Sequence, residues 1–256
     1  MTIRRTLASF GLLAAMAFPA LGATSVSAAT ELLPNLKTLK PTGLYVQVTT
    51  KGVHRLRLSN EIVNVQTGPL ELEPKPEDCN GNGDPNDDRT AYQVVYADTN
   101  GNGVLDRGTD QVSRTVKAGC MLFHPAHNHW HFQNYARYQL LTLDGTRVTR
   151  GMKTSFCITD TERKLPDVPG SPAAAYYTMC DADSTMGMSP GWGDIYQSFL
   201  QGQWIVIDGV PDGDYCLEST ADPANQVIET NDADNVAKVA IHLHGTNVRI
   251  INVACP

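Results

Sequence analysis

The chain has 256 residues, 41% of them hydrophobic and 18% charged, with a net charge of −7. That composition excludes a disordered or collagen-like chain. The acidic balance, with a sequence pI of about 5.4, excludes a basic nucleic-acid footprint.

Residues 1–28 read as a secretory signal. Arg4 and Arg5 form the positive start, and residues 10–21 are apolar but too short to span a bilayer comfortably. Val26-Ser27-Ala28 places small residues for cleavage near Ala28, with Ala20-Leu21-Gly22 as a second candidate. The reading is a signal peptide over 1–28 and one domain over 29–256, secreted to the extracellular space or cell envelope. Loss of two arginines and no acidic residue moves the charge from −7 to −9. No later stretch is long and apolar enough to span a membrane. All six cysteines (Cys79, Cys120, Cys157, Cys180, Cys216, Cys255) lie beyond the cleavage point. An even number in an exported chain predicts three disulfides, with fifteen connectivities open.

Short β-type runs recur from residue 42 onward. Leu44, Val46 and Val48 alternate with Tyr45 and Gln47. Further runs cover residues 56–65, 92–96, 112–116, 135–143, 152–158, 204–207, 214–218, 236–243 and 248–253. Asn-Gly and Asp-Gly turns separate them. The predicted class is all-β, a β-sandwich-like single domain with long loops and at most one or two short helices. One helix is predicted after Ser189-Pro190, where Trp192, Ile195, Tyr196 and Phe199 recur at helical spacing. On a strand over 152–158, Lys153, Ser155 and Cys157 would share one face.

Two features between these runs carry chemistry. Asp98, Asn100, Asn102 and Asp106 match the opening of an EF-hand-type loop, with Gly103 sixth and Leu105 eighth. Thr109 stands where the bidentate Glu belongs, so the alternatives are a structural calcium site and a plain Asx-rich turn. Asp78, Asn80, Asn82 and Asp84 form a looser second run. The other feature is Phe123-His124-Pro125-Ala126-His127-Asn128-His129-Trp130-His131. His127, His129 and His131 at i, i+2, i+4 share a face of a strand, but the outer pair would stand about 13 Å apart at Cα. One metal can reach all three only if the segment bends, and Pro125 or a bulge could bend it. Imidazoles suit copper, zinc, iron or nickel, so the cluster predicts a metal without naming it.

The order of motifs beyond the cluster is more specific. Gly68-Pro69-Leu70-Glu71-Leu72 precedes it. Lys153-Thr154-Ser155-Phe156-Cys157-Ile158-Thr159-Asp160-Thr161 follows, then Gly187-Met188-Ser189-Pro190-Gly191-Trp192-Gly193-Asp194-Ile195-Tyr196, then Gln203-Trp204-Ile205-Val206-Ile207-Asp208 and Glu229-Thr230-Asn231-Asp232-Ala233-Asp234-Asn235. This series resembles the catalytic domain of the lysyl oxidase family, over nearly the whole of residues 43–255.

The resemblance implies a secreted copper amine oxidase that turns primary amines, peptidyl-lysine ε-amines among them, into aldehydes, using O₂ and releasing ammonia and hydrogen peroxide. It implies copper on His127, His129 and His131, and a lysine tyrosylquinone built from Lys153 and Tyr196. It also implies a Cys157–Cys180 bridge, with Cys79–Cys120 and Cys216–Cys255 for the other four cysteines. Where the family carries cysteines this chain has Ala126 and Gly202, so one family bridge is missing. Asp194, two residues from Tyr196, is the first candidate for the base that removes the substrate α-proton, with Asp208 and His124 behind it. The alternative is an extracellular copper-binding β-sandwich module without catalysis. A zinc hydrolase has no HExxH-type glutamate to support it.

Overall fold

A computed structural model describes residues 29–84, 86–151, 153 and 155–256; the signal-type segment 1–28 lies outside them. In chain order the strands are β1 (Thr30–Leu32), β2 (Leu36–Thr38), β3 (Thr42–Val48), β4 (His54–Asn64), β5 (Leu70–Lys75), β6 (Asp88–Asp98), β7 (Gln111–His124), β8 (His129–Gln133) and β9 (Ala136–Thr142). They continue with β10 (Arg147–Arg150), β11 (Ser155–Phe156), β12 (Glu162–Arg163), β13 (Met186–Met188), β14 (Trp192–Tyr196), β15 (Trp204–Val206), β16 (Gly213–Ala221), β17 (Val236–His244) and β18 (Asn247–Ile250). The helical content among the described residues is one 3₁₀ turn, Asp232–Asp234, whose preceding Asn231 side chain accepts from the Ala233 N–H.

Every strand pairing is antiparallel, in three sheets. The first runs β11-β8-β7-β6-β5-β13 with β1 on β6. The second runs β10-β9-β16-β17-β18. The third is organised by β4, whose first half pairs with β3 and β15 and whose second half pairs with β2 and β14. A strand with neighbours on both edges and cover on both faces tolerates few exposed side chains, and β4 is buried over most of its length. One apolar core draws on all three sheets: Leu56 and Ile62 from the third, Phe132 and Phe156 from the first, Leu217 and Ile241 from the second. The all-β class read from short alternating runs is therefore the observed one.

Two expectations are corrected. Residues 192–196 form β14 and not a helix. Gly191 turns the chain at φ +74°, and the backbone of residues 193–196 then pairs with β4 from Gly193↔Val63 to Tyr196↔Asn60. Tertiary pairing of this kind overrides a weak local helical preference. Ser189, expected to cap that helix, donates instead to Asp160 Oδ2 at 2.7 Å. Among the described residues of the expected strand over 152–158, Ser155 and Phe156 form β11, paired with Gln133 and Phe132 of β8, and Lys153 precedes it.

The six cysteines form three bridges, Cys79–Cys120, Cys157–Cys180 and Cys216–Cys255. β13 is an all-buried stretch of Met-Gly-Met against β5. A Cβ on Gly187 would fall 2.2 Å from Leu70 O and 2.9 Å from the Tyr177 ring. Neither strand can retreat, because both are packed on the core. Gly187→Ala is therefore expected to lower stability by about 1–3 kcal/mol or more, read as a lower midpoint in urea unfolding.

Candidate active site

β7 and β8 form a hairpin, and the histidine cluster lies on its turn. His124 ends β7, residues 125–128 turn, and His129 opens β8 opposite His124. The N–H groups of His127 and Asn128 donate to His124 O at 3.0 and 2.9 Å, and Asn128 sits at φ 56°, a conformation asparagine enters more readily than most residues. This turn is the bend that three histidines at strand spacing require. It brings His127 Nδ1 to 3.4 Å and His129 Nε2 to 2.9 Å from His131 Nε2. Two nitrogens bound at about 2.0–2.1 Å to one ion stand about 2.9 Å apart at a right angle and about 3.4 Å apart at the tetrahedral angle. Two of the three pairs in the predicted donor set thus fit a transition ion in chemistry and spacing, while the set whose ligand atoms all lie within 4.8 Å of one another is His124, His127 and His131.

His124 adds a fourth imidazole. Its ring stacks on His127 at 4.0 Å, its buried Nδ1 has no hydrogen-bond partner, and ligand atoms of His124, His127 and His131 lie within 4.8 Å of one another. Burial, helped by the positive charges of neighbouring histidines and Lys153, pushes His131 down to about 3 and lowers His127 and His129 as well. At neutral pH these rings therefore offer lone pairs and not charge. His131 Nδ1 reaches Ser155 Oγ at 3.3 Å, which links the ring to β11.

Lys153 stands beside β11 with its Nζ 4.7 Å from the Phe156 ring centroid and 5.2 Å from that of Tyr196. Gly202 packs against its stem: a Cβ there would lie 2.9 Å from Lys153 Cδ, and the backbone is at φ +83°. The place where the resemblance expects a cysteine is thus shaped around the lysine. Burial lowers the Lys153 amine to about 8, against the opposing pull of Asp194.

The Tyr196 hydroxyl donates to Cys157 O at 2.8 Å and accepts from Cys157 N–H at 3.0 Å, and its ring meets Phe156 edge-on at 4.8 Å. Cys157 is bridged to Cys180, whose carbonyl accepts from the Trp130 N–H at 2.8 Å. One short path of bonds therefore joins the histidine hairpin to the tyrosine. Burial, then the charge of Asp194, pushes the Tyr196 phenol well above its ordinary range.

Asp194 is 1% exposed, and neither of its oxygens has a well-formed hydrogen bond. Burial raises its carboxyl far above the usual range, while Lys153 opposes the shift. On β14, Asp194 and Tyr196 are two residues apart and so face the same way. The helix expected here would have set them about 200° apart around its axis.

His127, His129, His131, Lys153, Asp194 and Tyr196 all line one cavity of about 560 Å³. Asp208 does not line it. Its carboxylate is at the surface, taking the His54 backbone N–H at 2.8 Å and lying 3.1 Å from His54 Nδ1, so it is removed as a candidate base. Thr159, Thr161, Leu200 and Gln201 also line the cavity. Nothing in their spacing marks them, since long loops bring them there. Asp160 holds that wall in place. Its carboxylate accepts from the backbone N–H groups of Tyr176, Tyr177 and Ser189 and from Ser189 Oγ. The Thr159-Asp160-Thr161 motif is visible in the sequence, but its bracing role is not.

The Asp98 loop lies apart, at the β6–β7 turn. Asp98 accepts from the N–H groups of Gly101, Asn102 and Gly103, and Asn100 and Asn102 both donate to Asp106 Oδ2. Asp110, one place past the missing glutamate, accepts from Thr99 and Asp106 N–H. The loop is thus closed by its own side chains.

A family model described as lysyl oxidase matches residues 90–255. Over 132 residues, 51% of this chain, the sequence is 33% identical to lysyl oxidase homolog 2 of Gallus gallus, 31% to that of Bos taurus and 30% to that of Homo sapiens. The matched stretch is 16% of each relative's own length. With the histidine hairpin, the lysine and the tyrosine falling in the matched residues, the chain belongs to the lysyl oxidase family.

Proposed function

We propose that this protein is a secreted copper amine oxidase, converting RCH₂NH₂, O₂ and H₂O to RCHO, NH₃ and H₂O₂, with peptidyl-lysine ε-amines as the natural substrate class. The observation that carries this reading is the meeting, in one cavity, of convergent neutral imidazoles, a lysine with a lowered pKa and a tyrosine 5.2 Å from its amine. His127, His129 and His131 would hold the copper, which would supply the one-electron chemistry with O₂ needed to oxidise a phenol. Lys153 and Tyr196 would be the residues joined as lysine tyrosylquinone, which supplies the electrophilic carbonyl that condenses with amines.

The chain's own residues supply position and protons. The Cys157 backbone holds the Tyr196 hydroxyl from both sides, which fixes the ring beneath the Lys153 amine. An amine lowered to about 8 is partly neutral near physiological pH and so able to act as a nucleophile. Asp194 would take the α-proton of the substrate, as a carboxylate raised toward the working pH is suited to do. The cavity has about 560 Å³ to receive an alkylamine, and Leu200 and Ile195 supply apolar wall for its methylenes. The protein's negative charge favours cationic amines through long-range attraction. Three disulfides among six cysteines suit an oxidising compartment beyond the signal-type segment. A calcium ion held by Asp98, Asn100, Asn102 and Asp106 would be structural, bracing the β6–β7 turn.

The test is to load the purified protein with copper in air. Expected results are a visible quinone absorption, a covalently joined Lys153–Tyr196 peptide pair by mass spectrometry, and peroxide release that depends on added amine. Copper binding with none of these would replace the enzyme by a copper-binding module.

A further inference from the structure

We propose that His242 and His244, on the outer face of β17, form a second transition-metal site, taking copper(II), nickel(II) or zinc(II). The two residues are i and i+2 on a strand whose Ile241 and Leu243 are buried, so both imidazoles leave the same face. Each has its Nδ1 against a carboxylate: His242 on Asp214 Oδ1 at 2.7 Å and His244 on Asp212 Oδ2 at 2.8 Å. An ionised carboxylate can only accept, so the hydrogen bond to Asp214 puts the proton of a neutral His242 on Nδ1 and leaves Nε2 its lone pair, while His244 Nδ1 lies beside Asp212 at ion-pair distance. Carboxylate-backed imidazoles of this kind are the usual arrangement behind metal-ligating histidines.

Residues at i and i+2 on a strand stand about 6.6 Å apart at Cα, so the two rings would have to lean together to share one ion; this molecule holds one such pair closer. His129 and His131 are also i and i+2 on one strand, and their Nε2 atoms stand 2.9 Å apart. Histidines 242 and 244 line a common hollow of about 320 Å³ with Asn247, Val248 and Arg249. His242 is 33% and His244 74% exposed, so an ion can reach both from solvent. The two carboxylates favour a cation electrostatically. Arg249, opposite His242 in the β17–β18 register, opposes it, but its exposed side chain is free to swing outward. The hollow shares no lining residue with the active-site cavity.

The experiment is a copper(II) titration of the full protein, followed by equilibrium dialysis and electron paramagnetic resonance. Two equivalents are expected. A His242→Gln/His244→Gln variant should lose one of them, with at least a tenfold drop in its affinity, and keep the thermal midpoint and amine oxidation of the parent. His129→Gln should lose the other. Arg249→Gln should tighten the second equivalent several-fold. A double variant that still binds both equivalents with parental affinity overturns the proposal. So does a parent that binds a single equivalent lost through His129→Gln, and that result leaves the amine oxidase reading standing. A single equivalent lost only in the double variant keeps the proposal and removes copper from the hairpin.

Discussion

Tyr196→Phe is expected to fold, bind copper at the histidine hairpin, form no quinone and no cross-link to Lys153, and oxidise no amine above background. The hydroxyl is where ring oxidation must begin, and no other phenol lines the cavity among the described residues. Tyr135 and Tyr138 also meet Phe156, but from the core side, 1% and 0% exposed. Phenylalanine keeps the edge-on contact with Phe156 and fills the same space. It leaves the Cys157 N–H and C=O without their partner, so a stability loss of about 1–3 kcal/mol should accompany the loss of activity. Mass spectrometry of the disulfide-reduced chain, copper stoichiometry and urea unfolding separate these effects. Amine-dependent peroxide from the Tyr196→Phe protein would end the cofactor assignment.

Asp194→Asn is expected to allow the Lys153–Tyr196 cross-link yet lower kcat by about 10²–10⁴-fold, the range that removal of a general base usually costs. The direction with pH follows from the burial. A base must be ionised to work, and Asp194 has a raised pKa, so parental turnover should rise with pH along a limb above the usual carboxylate range. Once Lys153 is bonded to the ring it no longer offers an ammonium, and Asp194 loses the charge that held its carboxyl down. The limb should therefore vanish in the asparagine variant. A second consequence has the opposite sign. Asp194 raises the Lys153 amine, so its removal lowers that amine below about 8 and should speed cross-linking at pH 7. Near-parental kcat in Asp194→Asn would move the base elsewhere, with His124, whose Nδ1 has no hydrogen-bond partner, as the next candidate.

Much of the site could be read directly. Histidines at alternate positions, a lysine four residues before a cysteine, and Asp-Ile-Tyr after a glycine-rich turn are local patterns, and local patterns survive in a linear string. The three disulfides also agree with the pairing implied by the family resemblance. The misreadings share one cause. Trp192, Ile195, Tyr196 and Phe199 have helical spacing, but Ile195 and Tyr196 are paired with Glu61 and Asn60 of β4, more than 130 positions earlier, and Trp192 with Arg163 of β12. Asp208, like Asp194, is an acid beside an apolar run, and only the fold shows one at the surface and the other enclosed.

The sequence by itself thus determined an all-β chain with a net negative charge, an even set of cysteines and the residue types of the proposed metal and cofactor site. Their period-2 patterning, turn chemistry and spacing are properties of neighbours along the chain. Only the tertiary structure decided that His127 and His129 both turn toward His131, that Asp194 and Tyr196 share a face, and that burial lowers the Lys153 amine to about 8. Those outcomes depend on contacts between distant strands, where burial sets both geometry and protonation.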